Sequence, residues 1–538
     1  MSRRRSRETT PPDGTQQWPQ AEYHQDPLTP DYHGNPLIEA LPPILSEDEL
    51  IESLMYYPSY SKEQRFAPAH ARMHYIENSL FFFQPLSAHL DLAGRISCLL
   101  RTGYLARNPL GHGFYPNMNK KLGGLQLNSF IKNSLLEQTL GFTMIGVSGV
   151  GKTIGLLACL SLYPQVIFHN RYQDQDLNFV QIIWLKINCP HDGSPKGLCL
   201  EFFSAIDALI GSNYSEIYGN SRSTVDELLI HMARVTINHG LGLLVVDEIQ
   251  FLCEANVGGA DKMLNFFVRL TTLRVPVILV GTYKAQSILS RKLRQARRGA
   301  GQGDFIWDRM IESVEYDEKS ADKRIGKDEV GGDWEIFVES LWKYQFLHHH
   351  TPLTYKLRHV LYDETQGVTF FTVRAFMLAQ WRAISSGLEK INEALIRSVV
   401  KDCFRLAKPM LQALKSGNIE DLEDYEDLFP TDFKKLLKTA GDASSHTGAQ
   451  ADAPSTEEAH VSSQGYKDDN PSTSTSQAAM GHQPGRQDSR QKSRNSKKQQ
   501  VVYAEGDLRK VTSSRKYPDA YAAVREAGYT RSVAAFID

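Results

Sequence analysis

Apolar and polar positions follow two alternating periods through the middle of this 538-residue chain. Short continuous apolar runs, the mark of strands buried on both faces, stand at Phe142–Ile145, Gln165–Phe168, Val180–Ile187, Leu243–Val246 and Val275–Thr282. Between them, helical spacing predicts helices over Ile154–Leu160, Leu198–Ile210, Val225–Asn238 and Met263–Leu273. Strands interspersed with helices in this way imply an α/β fold around a parallel sheet. Upstream, Ser46 with Glu49 three residues on forms a capping box that opens a short amphipathic helix through Ile51 and Leu54. Leu90–Leu100 and Phe130–Leu136 are helical in period, and Gly103–Gly124 reads as a glycine- and asparagine-rich loop. Downstream, Trp334–Leu347, Val373–Ile384 and Ile391–Leu414 have helical spacing and predict a mainly helical domain behind the sheet.

Composition divides the chain further. Residues 1–45 are rich in Pro, Gln, Tyr and His, and read as a flexible leader whose one apolar island, Asn35–Pro43, is a docking motif. Residues 46–135 form a helical and loop region, 136–310 the α/β core, 311–332 a charged surface loop and 333–438 a helical lid. From 439 to 500 the only aliphatic side chains beyond alanine are Val461 and Met480, too few to bury a core, so this stretch reads as a disordered tether. Aromatic and apolar spacing return over 501–538, as expected of a peptide that orders on a partner.

A net charge of −2 does not single out nucleic acid as a ligand, although uneven placement leaves room for a local basic surface. The six cysteines include no CxxC pair and read as buried free thiols in a reducing compartment, without zinc or disulfides. With neither a signal-peptide core nor an apolar run of membrane length, the expected location is cytoplasmic. His348, His349 and His350 are adjacent on one element and point apart, which suits a solvated turn before Pro352 better than a metal site.

The candidate chemistry sits at strand ends. Gly146, Val147, Ser148, Gly149, Val150, Gly151, Lys152 and Thr153 follow an apolar strand and lead into an apolar helix beginning at Ile154. That context makes the G-x-x-x-x-G-K-T pattern a P-loop. Its glycines let successive N–H groups face phosphate oxygens, Lys152 reaches the β- and γ-phosphates of ATP, and Thr153 offers its hydroxyl to Mg²⁺. A second apolar strand ends in Asp247 and Glu248, carboxylates for which a buried strand has no structural use: Asp247 for Mg²⁺, Glu248 to polarise the attacking water. The next strand ends in Thr282, either a sensor group or a capping threonine. Beyond it, Arg291–Arg298 is a basic run closed by glycines, where Arg297 and Arg298 are the candidates for an arginine finger completing a neighbouring subunit's site. Arg374, shortly after Gly367, is placed either to reach the nucleotide from the lid or to lie solvated on its helix.

In this order the motifs resemble those of AAA+ ATPases. More narrowly, the chain resembles TnsC, the regulatory ATPase of heteromeric cut-and-paste DNA transposons. That likeness rests on Asn35-Pro-Leu-Ile-Glu-Ala-Leu-Pro-Pro43, Gly242-Leu-Leu-Val-Val-Asp-Glu-Ile-Gln250, Met263-Leu-Asn-Phe-Phe-Val268 and Ala296-Arg-Arg-Gly-Ala-Gly301, and weakly on Asp507-Leu-Arg509. It covers roughly residues 35–430 and implies an AAA+ P-loop domain with a C-terminal helical lid. It further implies a homo-oligomeric ring or filament on double-stranded DNA, disassembled by ATP hydrolysis, that links a target-selector protein to transposase and endonuclease subunits through the C-terminal tail. The N-terminal island would then face the selector or steady the oligomer. DNA contacts in the family follow the second core strand; here Lys196, Arg222 and Thr224 occupy that region, as phosphate ligands or as ordinary loop and cap residues. Two other readings remain at this stage: a DNA-acting AAA+ ATPase of the initiator or helicase-loader type, and an ATP-gated scaffold that does not hydrolyse.

Overall fold

A computed structural model describes residues 18–111, 141–220, 222–254, 259–285, 302–313 and 331–417. The chain divides into two compact units after Thr431, and all of these residues belong to the first. The expected helix at Phe130–Leu136, Arg297 and Arg298, the 439–500 tether, the 501–538 tail and most of the 311–332 loop lie outside the described residues.

The helices are α1 (Pro36–Glu39), α2 (Glu47–Leu54), α3 (Ala69–Glu77), α4 (Ser87–Leu105), α5 (Lys152–Leu160), α6 (Pro195–Ile210), α7 (Tyr214–Tyr218) and α8 (Val225–Asn238). They continue with α9 (Gly259–Thr272), α10 (Asp333–Trp342), α11 (Tyr355–Thr365), α12 (Thr369–Ser385), α13 (Glu393–Cys403) and α14 (Lys408–Ser416). The strands are β1 (Gly141–Ile145), β2 (Val166–Tyr172), β3 (Gln175–Ile182), β4 (Trp184–Asn188), β5 (Leu243–Asp247), β6 (Val277–Gly281) and β7 (Phe305–Ile306). Five of them form a parallel sheet in the order β4-β5-β6-β1-β7, while β2 and β3 make a separate antiparallel hairpin. Both faces of the central strands are covered, so β1, β5 and β6 are buried along their whole length, as their apolar sequences require. Phe202, Phe203, Met232, Leu244, Val246, Phe266 and Leu279 belong to the main core packed on the sheet.

The apolar run Val180–Ile187 is not one strand. At Ile183 the hydrogen-bonding partner changes: Ile182 closes the antiparallel hairpin against Val166, and Trp184 begins the parallel pairing with Leu243. Continuous burial on both sides of the switch hides it from the hydrophobic pattern. Other bounds shift too. The first lid helix ends at Trp342, the Ile391–Leu414 segment breaks between α13 and α14, and α4 continues to Leu105. By contrast α8 spans the expected residues, because Thr224 and Glu227 make a reciprocal capping box at its start. Cys159, Cys189 and Cys199 are buried, but Cys98 is exposed on α4. No helix among the described residues is long and apolar enough to cross a membrane.

The N-terminal segment departs furthest from the expected flexible leader. From Trp18 onward it is part of the fold: Pro19 and Ala21 pair with Phe168 of the hairpin, and Leu37, Ile38 and Leu41 are buried. Asn35 caps α1 by accepting from Leu37 N, while its Nδ2 donates to Tyr104 O at 2.8 Å. Gln181 Nε2 donates to Leu37 O, and buried Glu39 accepts from Tyr172 Oη and Gln25 Nε2. The island expected to dock on a partner thus docks on its own chain. An apolar run flanked by prolines looks the same in either role.

Helix α4 joins the two ends of the sheet. At its C-terminal end Tyr104 Oη donates to Gly240 O and Arg107, just beyond, donates to Leu241 O, which fixes the entry to β5. At its start His89 packs edge-on against Phe83 and Trp307, with ring centroids 4.9 and 5.0 Å apart. Leu86 N donates to His89 Nδ1, so the neutral ring carries its hydrogen on Nε2. Burial pulls the His89 pKa down from 6.5 to about 4.

Two outcomes follow from this packing. Leu37→Ala should lower the unfolding free energy by about 2–4 kcal/mol, read from the urea midpoint, where an exposed docking residue would change it by under about 0.5 kcal/mol. Because the folded His89 pKa lies below the unfolded value, the unfolded chain binds the proton more tightly. Its stabilisation is complete above pH 6.5 and is lost as the pH falls toward 4. His89→Gln should therefore lose less stability than wild type between pH 7 and pH 5, by on the order of 2 kcal/mol in matched denaturant titrations.

Candidate functional site

The functional candidates converge on a cavity of about 470 Å³ at the carboxyl ends of the parallel strands, within the size range of small-ligand sites. Its floor is the loop from β1 to α5. Gly149 and Gly151 take φ of +85° and +99°, the left-handed region where glycine is at home, and this turns the loop back toward the start of α5. Val147 and Val150 are buried anchors, whereas Ser148, Lys152 and Thr153 line the cavity and Ile154 stands exposed at its edge. Gly146 has no room for a side chain, since a Cβ there would lie 2.0 Å from Trp307 O. Lys152 Nζ donates to the carbonyls of Gly146 and Val147 at 2.7 and 2.8 Å, which holds the loop in its curl.

Opposite this loop stands the end of β5. Thr153 Oγ1 donates to Asp247 Oδ2 at 2.8 Å, and Glu248 N donates to Asp247 Oδ1 at 2.9 Å. Lys186, one strand over on β4, brings its Nζ to 3.1 Å from the same Oδ2. Glu248 is exposed and adopts φ +57°, a conformation that costs a non-glycine residue about 1–2 kcal/mol. Gln250 bridges the site: its Nε2 donates to Glu248 Oε2 and its Oε1 accepts from Thr282 N at 3.3 Å. Thr282 is buried at the end of β6, and its hydroxyl has no hydrogen-bond partner among the described residues. A buried hydroxyl of this kind can donate to a water or a ligand atom in the cavity.

The lid reaches the same loop through one main-chain and one side-chain bond. Phe370 N donates to Gly149 O at 3.0 Å and Thr369 Oγ1 donates to Val150 O at 3.1 Å, so α12 begins against the glycine loop. One turn on, Arg374 lines the cavity, with its guanidinium 5.8 Å from the Phe370 ring centroid and 3.9 Å from Glu77 Oε2. Burial lowers its pKa, an effect that Glu77 opposes. The remaining wall is mostly apolar, with Leu80, Phe82, Phe83 and Leu86 before α4, Trp307 and Met310 after β7, and Phe337 of α10, and is interrupted by Gln84, Asp308, Arg309 and Asp333. A planar base suits such a wall, and the phosphates suit the loop. Thr153 hydroxyl and Asp247 carboxylate oxygens are also the hard donors that Mg²⁺ takes.

The structure thus brings Lys152, Thr153, Asp247, Glu248, Thr282 and Arg374 to one cavity. Arg297 and Arg298 lie outside the described residues. Lys196, Arg222 and Thr224 form a separate group: Lys196 Nζ donates to Ser223 O at 3.1 Å, Arg222 is exposed, and Thr224 serves as the α8 cap. Sequence reasoning missed Lys186, Gln250, His89 and the aromatic wall. Phe81–Phe83 was a visible signal, but only the fold brings it to the glycine loop.

Among solved structures, the chain is similar to the Aeropyrum pernix ORC1 protein in complex with DNA, at 14% identity over 64% of this chain and 86% of that one, with a TM-score of 0.32. It is similar to Cdc6p from Pyrobaculum aerophilum at 15% identity, over 62% and 86% of the two chains, with a TM-score of 0.31. It is also similar to a Walker-type ATPase of Pyrococcus abyssi at 13% identity, over 60% and 88%, with a TM-score of 0.31. No curated protein matches the chain. The family model described as AAA domain matches residues 137–289. With the five-stranded parallel sheet, the glycine loop on β1 and the helices that follow, this match makes the nucleotide-facing part of the chain an AAA+ P-loop domain.

Proposed function

We propose that the chain is an ATP-hydrolysing regulator of DNA transposition of the TnsC type. In this reading it works in the cytoplasm, binds ATP with Mg²⁺ and assembles as a homo-oligomer on duplex DNA. There it links a target selector to a transposase and its partner endonuclease. The observation that carries the ATPase half is the Thr153–Asp247 hydrogen bond of 2.8 Å, which sets the P-loop hydroxyl and the strand-end carboxylate side by side. The transposition half rests on the run of sequence motifs outside the P-loop.

In this reading Lys152 exchanges its bonds to the Gly146 and Val147 carbonyls for phosphate oxygens, so ATP binding is felt by the loop itself. Thr153 and Asp247 hold Mg²⁺, which when bound neutralises charge on the β- and γ-phosphates. Glu248, gripped by Gln250, orients the attacking water, and the Thr282 hydroxyl gives a donor to the γ-phosphate side. Arg374 brings positive charge from the lid, and Arg297 or Arg298 would bring it from a neighbouring subunit. Lys196, Arg222 and Thr224 supply phosphate-backbone contacts on DNA, which read little sequence and weaken steeply with salt. The island, buried from Asn35 to Leu41, steadies the ATPase domain rather than meeting the selector. Partner contact falls to the tail at 501–538.

Electron microscopy on linear duplex DNA is the first test, with a slowly hydrolysed ATP analogue or with ADP. Regular rings or filaments are expected with the analogue alone, and should be lost in Lys152→Ala and in Arg297→Ala/Arg298→Ala. Wild-type monomers in every condition would overturn the DNA-assembling reading. Phosphate release should fall by about 100-fold or more in Lys152→Ala. Capture of transposase and endonuclease by the full chain, lost on truncation after Gln500, separates transposition from other DNA machines.

A further inference from the structure

We infer that Lys186 is a tethered cation that competes with magnesium for Asp247 and, when displaced, is received by Asn188. The inference rests on the nucleotide-site reading above. In the parallel register of β4 and β5, Asn188 lies beside Asp247 and Lys186 beside Val245, so the lysine rises from two residues upstream toward the carboxylate. Its Nζ lies 3.1 Å from Asp247 Oδ2 and donates to Asn188 Oδ1 at 2.6 Å. The Lys186 side chain is 16% exposed and that of Asp247 5%, so their attraction is weakly screened by solvent. Oδ2 is also the oxygen that accepts from Thr153, and so the one placed for the metal's shell.

A buried aspartate needs a counter-charge, and a lysine placed only for that purpose would be structural. The second acceptor sets Lys186 apart. Asn188 already holds the same ammonium at hydrogen-bond distance, so the lysine keeps one partner when it gives up the carboxylate. Its charge nevertheless stays close to the divalent ion and raises the magnesium concentration that the site requires. Asn188 begins the loop that leads into α6, and Cys189 N donates to Asp247 O at 2.8 Å. The carboxylate and the start of that loop are therefore tied by main chain as well as by the lysine.

The test is a magnesium titration of the binding of a fluorescent, non-hydrolysable ATP analogue to the full chain, run beside binding in EDTA and thermal unfolding. Lys186→Met, which keeps the stem and removes the charge, should shift the magnesium midpoint down by on the order of tenfold while leaving EDTA binding unchanged. Lys186→Arg should stay near wild type. Asn188→Ala, which removes the alternative acceptor, should shift the midpoint up. Equal midpoints in wild type and a folded Lys186→Met overturn the inference about Lys186 alone. Parallel losses in magnesium, in EDTA and in thermal stability overturn it in favour of a purely structural ion pair. A wild type that binds no analogue at any magnesium concentration overturns the nucleotide reading along with it.

Discussion

Asp247 is the constraint on which the rest of the site depends. Its side chain is nearly buried, and an unpaired carboxylate there would be costly, so the fold surrounds it with donors: Thr153 from the glycine loop, Lys186 from the neighbouring strand and the amide of Glu248. Each donor comes from a different element. Satisfying one buried charge therefore holds the start of α5 and the end of β4 against the end of β5, and that arrangement defines the phosphate end of the cavity. The unfavourable backbone at Glu248 belongs to the same arrangement, because the chain must turn sharply out of β5 to bring that amide back to the carboxylate.

Much of this was legible in the sequence because it is local. A glycine loop between an apolar strand and an apolar helix has few other meanings, and a strand ending in two acids stands out against a buried run. The Thr224 and Glu227 pair marks the start of α8 for the same reason. The parts that were not legible depend on what lies across space. Val180–Ile187 stays apolar through a change of sheet, since both environments are buried. Lys186 reads as one polar residue in a strand until the register with β5 is known. The aromatic wall is assembled from a segment before α4 and two segments beyond β7, more than two hundred residues away, and even the run Phe81–Phe83 does not reveal what it will face.

The N-terminal segment shows the limit of composition as a guide. Its prolines and polar residues resemble those of an unfolded leader, yet Asn35, Glu39 and the apolar side chains between them are almost wholly buried. The hairpin β2–β3 supplies the missing surface. Gln181 and Tyr172 meet the polar groups of the segment, and the pairing at Phe168 takes up its backbone. A stretch that cannot fold alone folds as the cover of something else.

Of the two bonds from the lid to the glycine loop, the one from Phe370 N to Gly149 O joins main-chain groups alone, while the other uses the Thr369 hydroxyl. The first therefore belongs to the polypeptide rather than to any side chain. Point substitutions can tune the cavity on either side of it, but none short of proline removes the donor. A side-chain replacement at position 370 can therefore reshape the cavity wall while this mechanical link to the loop stays in place.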